Sequence, residues 1–160
     1  DIIRPAAAAK HITLETELPA ELHSIRIKGD RERLQQVFTN LLTNAVKFSP
    51  ERAAVTIKAE TLSDELEINV IDNGIGISAE FLPDVFERFR QERSISTKNG
   101  GLGLGLAIVR NLVETHGGSV EAFSEGENKG SRFTVRLPFH SLSDGRIYER
   151  AAIEQAADSL

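Results

Sequence analysis

Hydrophobic periodicity constrains this chain most, because its value switches along the length. From Arg31 to Phe48 the apolar residues Leu34, Val37, Phe38, Leu41, Leu42, Ala45 and Phe48 recur at three- and four-residue intervals, with Asp30 as N-cap and Ser49-Pro50 as a stop. That spacing predicts one long amphipathic helix. Around it, "HITLETELP" (11–19), "SIRIKG" (24–29), "AVTIKAET" (54–61), "ELEINVID" (65–72), "SVEAFSE" (119–125) and "SRFTVRLP" (131–138) alternate apolar and polar residues, the pattern of half-buried strands. "EFLPDVFERF" (80–89) returns to helical spacing through Leu82, Val85, Phe86 and Phe89. "GLGLGLAIVRNLVETHGG" (101–118) is a glycine-rich entry into a further helix that stops at His116-Gly117-Gly118, where a partial positive charge on the histidine would suit the helix dipole. Short polar joins predict antiparallel hairpins for 54–72 and 119–138. The order ββ-α-ββ-α-loop-α-ββ predicts an α/β fold, a two-layer sandwich with a mixed, mostly antiparallel sheet and its helices packed on one face.

The chain has 160 residues, 40% hydrophobic and 27% charged, enough for one domain with a core of its own. Its net charge of -5 argues against a general nucleic-acid or anionic-membrane surface, so any phosphate site must be local. There is no cysteine, which excludes disulfides and thiolate metal sites and fits a reducing compartment. No apolar run is long enough to span a bilayer, and no basic-then-apolar leader opens the chain. With a start at Asp1 and no methionine, the chain reads as a piece of something longer. Residues 1–10 read as the end of a linker, 11–140 as the domain, and 141–160 as a C-terminal linker or extra helix.

Three constellations carry chemistry. Within "TNLLTNAVKFSP", Asn40, Asn44 and Lys47 fall within about 60° of one another on the predicted helix, beside its core stripe. Asparagine is a mediocre helix former, so two of them on one edge ask for a reason. Two amide oxygens and an ammonium suit a hydrated Mg2+ and the phosphates it bridges, although a solvated helix flank would look the same. In "IDNGIGIS", Asp72 closes an apolar strand and is followed by Gly74 and Gly76. An Asp-Asn-Gly turn explains part of this, and a backbone that must approach a flat ligand explains the second glycine. In "NGGLGLGLAIV", Gly100, Gly101, Gly103 and Gly105 precede a helix, which exposes amides as an anion site or serves as a hinge. That run lacks the Gly-Lys-Ser/Thr ending of a P-loop.

Taken in order, "QQVFTNLLTNAVKFSP", "DNGIGI", "FERF" and "GGLGLGLAIV" resemble the asparagine box, first glycine box, phenylalanine box and second glycine box of the catalytic ATP-binding domain of sensor histidine kinases, a Bergerat-type fold. The resemblance covers about Ile12 to Pro138. It implies ATP and Mg2+ as ligands, with Asn44 the main metal ligand, Asn40 its helper and Lys47 a phosphate contact. It further implies that Phe48 packs on adenine, that Asp72 binds the adenine amine, and that Gly74 and Gly76 shape that pocket. Arg88 would reach toward the phosphates, and Gly101, Leu102, Gly103 and Gly105 would cradle them. Phe86 and Phe89 would anchor a mobile lid at 90–100 whose Thr97 and Lys98 touch nucleotide.

The partner implied is a dimerisation and phosphoacceptor domain of the same kinase, with a response-regulator receiver domain acted on indirectly and the fragment itself cytoplasmic. None of His11, His23, His116 and His140 lies in a phosphoacceptor pattern. Two rivals remain at this level. An ATP-hydrolysing relative of the same fold carries a water-activating glutamate where this chain has Asn40, and asparagine cannot serve as that base. A nucleotide-sensing module without kinase activity would retain binding alone.

Overall fold

The computed structural model describes residues 3–90 and 103–141. The elements are α1 (Ile3–Ala9), β1 (Thr13–Glu17), a 3-10 turn (Ala20–Ser24), β2 (Ile25–Arg26), α2 (Arg31–Phe48), β3 (Ala54–Thr61), β4 (Glu65–Asp72), a second 3-10 turn (Leu82–Asp84), α3 (Gly105–Thr115), β5 (Ser119–Phe123), β6 (Ser131–Pro138) and β7 (His140–Ser141). Five strands form one sheet in the order β1-β3-β4-β6-β5, and β2 pairs with β7 in a small second sheet. Among the described residues only β1 and β3 run parallel; their connection passes through α2, while β3-β4 and β5-β6 are antiparallel neighbours. The mixed, mostly antiparallel sheet is the expected α/β architecture.

Strand alternation sends one set of side chains toward the helices. Val55, Ile57 and Ala59 of β3, Leu66, Ile68 and Val70 of β4, and Phe133, Val135 and Leu137 of β6 are all buried. They meet Val37 and Leu41 of α2 and Val109 and Val113 of α3 in one core. The α2 stripe buries from Leu34 to Ala45 as its period requires, with Phe48 half-buried at its end, and Asp30 caps the helix by accepting from the Arg33 N–H at 3.1 Å. The same parity puts Asp72, two residues beyond Val70, on the helix-covered face.

Several elements differ from the sequence expectation. The helix expected over 80–89 is a set of turns around one 3-10 turn. Pro83 has no N–H to give, and the bonds Phe81 N to Ser78 O, Asp84 N to Phe81 O and Glu87 N to Asp84 O span three residues. The run 24–29 keeps only two strand residues. α1 carries no announced periodicity, yet Ile3 and Ala7, four apart, bury one face of it. His116 is no charged dipole cap: its Nδ1 lies 2.7 Å from the Leu112 carbonyl and its Nε2 accepts the Asp30 N–H at 3.0 Å. A carbonyl only accepts and an amide N–H only donates, so this pairing requires the neutral Nδ1–H tautomer.

Candidate functional site

Asp72 forms the buried floor of the site. It ends β4 opposite Ser131 of β6 and is 5% exposed. Gly74 N donates to its Oδ1 at 2.8 Å, and Ser131 Oγ donates to its Oδ2 at 2.5 Å. Burial pushes the carboxyl above the ordinary range, and the Ser131 and Gly74 bonds pull the other way. Ser131 is a residue that sequence reasoning missed. The signal was available in the register, since pairing 65–72 against 131–138 end to end sets Ser131 beside Asp72.

The loop after Asp72 is held from two sides. The N–H of Ile75 donates to Phe48 O at 3.2 Å, and a Cβ on Gly74 would stand 2.5 Å from that same carbonyl. On the other side, Asn128 N bonds Ile75 O at 2.6 Å and Gly130 N bonds Gly74 O at 3.1 Å. Ser124 Oγ accepts from Ile77 N at 3.0 Å and donates to Gly130 O at 2.7 Å. Gly76 has φ +69, and a Cβ there would meet Gly126 O at 2.0 Å. Both glycines are therefore required by close backbone approach, and the β5-β6 turn is the second wall of the loop.

The asparagine stripe lies along the same region of α2. Asn40, Asn44, Lys47 and Phe48 are all half-buried. Lys47 Nζ sits 4.9 Å from the centroid of the Phe48 ring. Asn40 Nδ2 donates to the carbonyl of Gly105, the first residue of α3, at 3.4 Å, which leaves Oδ1 for a ligand. Among the described residues a Cβ on Gly105 would meet nothing within 4 Å, so they leave the space over the start of α3 open. Gly103, with φ +65, accepts from Phe89 N at 3.0 Å, joining the 80–89 turns to the second glycine run.

Backbone and side-chain bonds thus bring Phe48 to Ile75, Asn40 to Gly105, and Phe89 to Gly103. Phe86 is anchored edge-on against Phe133 with ring centroids 6.2 Å apart, whereas Phe89 is 73% exposed and has φ +60. Arg88 is exposed. Thr97, Lys98, Gly101, Leu102 and nearly all of the expected lid lie outside the described residues, except Arg90, whose guanidinium pairs with Asp84 at 3.0 Å.

A separate concavity of about 570 Å3 lies on the sheet face turned away from α2 and α3. Most of its charges answer one another: Arg136 bridges Glu67 at 2.8 Å and Glu121 at 3.0 Å, and Lys58 pairs with Glu60 at 2.7 Å, while Arg132 stacks over the Phe123 ring at 5.1 Å. Thr134 donates to Asn69 at 2.7 Å. Such a self-satisfied ladder offers a ligand few open donors or acceptors.

A buried carboxylate at a strand end, a glycine loop pinned to the end of an asparagine-bearing helix, and an open helix start are features of a nucleotide-binding ATPase domain. Residues 29–141 match the family of histidine kinase-, DNA gyrase B- and HSP90-like ATPases, and the chain belongs to that family. It is 38% identical over 145 residues to the circadian input-output histidine kinase CikA of Thermosynechococcus vestitus, covering 90% of this chain and 20% of that protein. It is 37% identical over 147 residues to the sensor protein kinase WalK of Staphylococcus haemolyticus, covering 90% of this chain and 24% of that one. Among solved structures, full-length ShkA in complex with AMPPNP superposes with a TM-score of 0.73 at 30% identity, over 88% of this chain and 28% of that chain. The mycobacterial sensor histidine kinase MprB superposes with a TM-score of 0.72 at 26% identity, over 88% of this chain and 93% of that chain. The chain therefore spans a quarter or less of the two curated relatives.

Proposed function

We propose that this domain binds Mg-ATP and presents its γ-phosphate to a histidine on a dimerisation and phosphoacceptor domain of a cytoplasmic kinase module, from which a response-regulator receiver domain is served in turn. The observation that carries the reading is Asp72, a buried acceptor beneath a loop whose close backbone approach Gly74 and Gly76 allow. A carboxylate there complements the exocyclic amine of adenine and opposes the acceptor that guanine offers at the same position. Phe48 supplies an apolar face at the rim, and Lys47 supplies a cation beside it.

The residues present fit Mg2+ held largely through phosphate and water. Among the described residues there is no group of three or more histidines, cysteines or carboxylates to cage a metal. Asn44 and the free Oδ1 of Asn40 supply the oxygens that a hydrated Mg2+ accepts. When bound, the ion would neutralise phosphate charge. The protein's share is positioning: α2 orders the amide oxygens and Lys47 along one edge, while Gly103 and Gly105 leave backbone close to the anion. Asn40 also disfavours the hydrolase reading, since its amide cannot activate water.

Calorimetry with Mg-ATP and Mg-GTP tests the adenine assignment, and equal affinities would sink it. The kinase reading is tested with γ-labelled ATP. The isolated domain is expected neither to label itself on histidine nor to release phosphate steadily. Adding a separately made phosphoacceptor domain should give acid-labile label on that domain, and its absence there counts against the reading.

A further inference from the structure

The last carbonyls of any helix lack partners within it, and in α2 those carbonyls carry the backbone of Lys47 and Phe48. Three nearby oxygens converge on one group. Lys10 Nζ donates to Val46 O at 2.9 Å, Lys47 O at 2.7 Å and Ser49 O at 2.9 Å. An ammonium has three donors, so all are used, and its charge lies at the negative end of the helix. The remaining carbonyl, Phe48 O, accepts from Ile75. The end of α2 is thereby shared between the glycine loop and the segment that follows α1.

Lys10 is itself fixed. His11, with φ +54, closes α1, and the bonds His11 N to Ala8 O at 3.0 Å and Ile12 N to Ala7 O at 2.9 Å complete the stop. Lys10 O accepts Arg52 N at 3.0 Å, and α1 is seated through Ile3 and Ala7.

We propose that Lys10 is a positioning residue for the nucleotide: it sets the backbone from which Lys47 and Phe48 project, and so ties the seating of α1 to phosphate affinity. This rests on the reading of Lys47 and Phe48 as nucleotide contacts. Without the ammonium, three carbonyls lose their shared donor and the final turn of α2 loses the group that gathers it. Asn44, a turn earlier, keeps its helical bonds. The loss should therefore fall on the contribution of Lys47.

The test measures Mg-ADP binding to the folded domain by calorimetry. Lys10→Met, which keeps the stem and removes the donors, should weaken binding about 3- to 10-fold, and Lys10→Arg should recover part of that. In a Lys47→Ala background the loss caused by Lys10→Met should shrink to about 2-fold or less, the share carried through Phe48, since Lys47 is gone. The same fold-loss in both backgrounds would show a purely structural lysine and overturn the proposal. Should Lys10→Met fail to fold, Lys10→Gln carries the same comparison. Asp72→Ala in parallel separates the two readings. If it leaves binding unchanged, the pocket assignment has failed; if it weakens binding while Lys10→Met does not, only the role of Lys10 has failed.

Discussion

Ser131 Oγ donates to Asp72 Oδ2 at 2.5 Å from the directly opposed position on β6. The buried carboxyl sits above its usual titration range for lack of water. A carboxyl whose folded pKa is raised contributes stability while protonated and loses it as pH rises through that raised value. The empty domain should therefore lose stability as pH climbs just past the ordinary aspartate range. Asp72→Asn should remove that part of the pH dependence and match or exceed the parent's melting temperature at neutral pH, while losing an interaction worth about 1.5–3 kcal/mol, roughly ten-fold or more in ADP affinity. Thermal melts across pH, paired with calorimetry, check both halves. A variant less stable throughout would show that the carboxylate is structural.

Two glycines should respond in opposite ways. Gly76→Ala forces a side chain into φ +69 and against Gly126 O, costing at least about 1–3 kcal/mol. Gly105→Ala begins a helix in open space, so it should be neutral or stabilise by about 0.4–1 kcal/mol. If phosphates lie over α3, the same change should still weaken ATP binding. Urea unfolding and nucleotide titration of the pair distinguish steric need from ligand need.

His116 joins the end of α3 to the start of α2 through its two ring nitrogens. His116→Phe keeps the ring and loses both bonds, for an expected cost of about 1–3 kcal/mol. Nitrogen NMR of the wild-type imidazole should show the proton on Nδ1. A signal from the Nε2–H tautomer would contradict the bond to the Asp30 amide.

Asn44→Ala should impair phosphoryl transfer more than it impairs adenine binding, because its amide oxygen serves metal and phosphate. Transfer is measured with the phosphoacceptor domain present and ADP binding with the isolated domain. An unchanged transfer rate would return the asparagine stripe to a solvated flank.

What was legible in the sequence was whatever depends on local period. α2 and the strands of the two hairpins follow from spacing alone, and so does the inward parity of Asp72. The turns at 80–89 misled because Leu82, Val85 and Phe86 keep helical spacing while Pro83 removes the backbone bond that spacing presumes. α1 was silent because its sequence, IRPAAAA, offers Ile3 and Ala7 as its buried contacts. Lys10 left no sign either, since its acceptors lie 36 to 39 residues away and are backbone atoms, which carry no residue signature.

The parallel pairing of β1 with β3 has a kinetic consequence. Thr13 lies beside Ala54 only after the chain has looped through α2, whereas Leu62 N already bonds Glu65 O at 2.8 Å within a tight reversal. Loop closure must be met before such a distant contact gives any return, and β1 has a single neighbour at the sheet edge. Strand β1 is accordingly expected to zip last during folding and to exchange its amides earliest in the native state. Any early fraying there would begin one short turn away from Lys10, so the N-terminal part of the domain can loosen while the β3-β4-β6 centre stays closed.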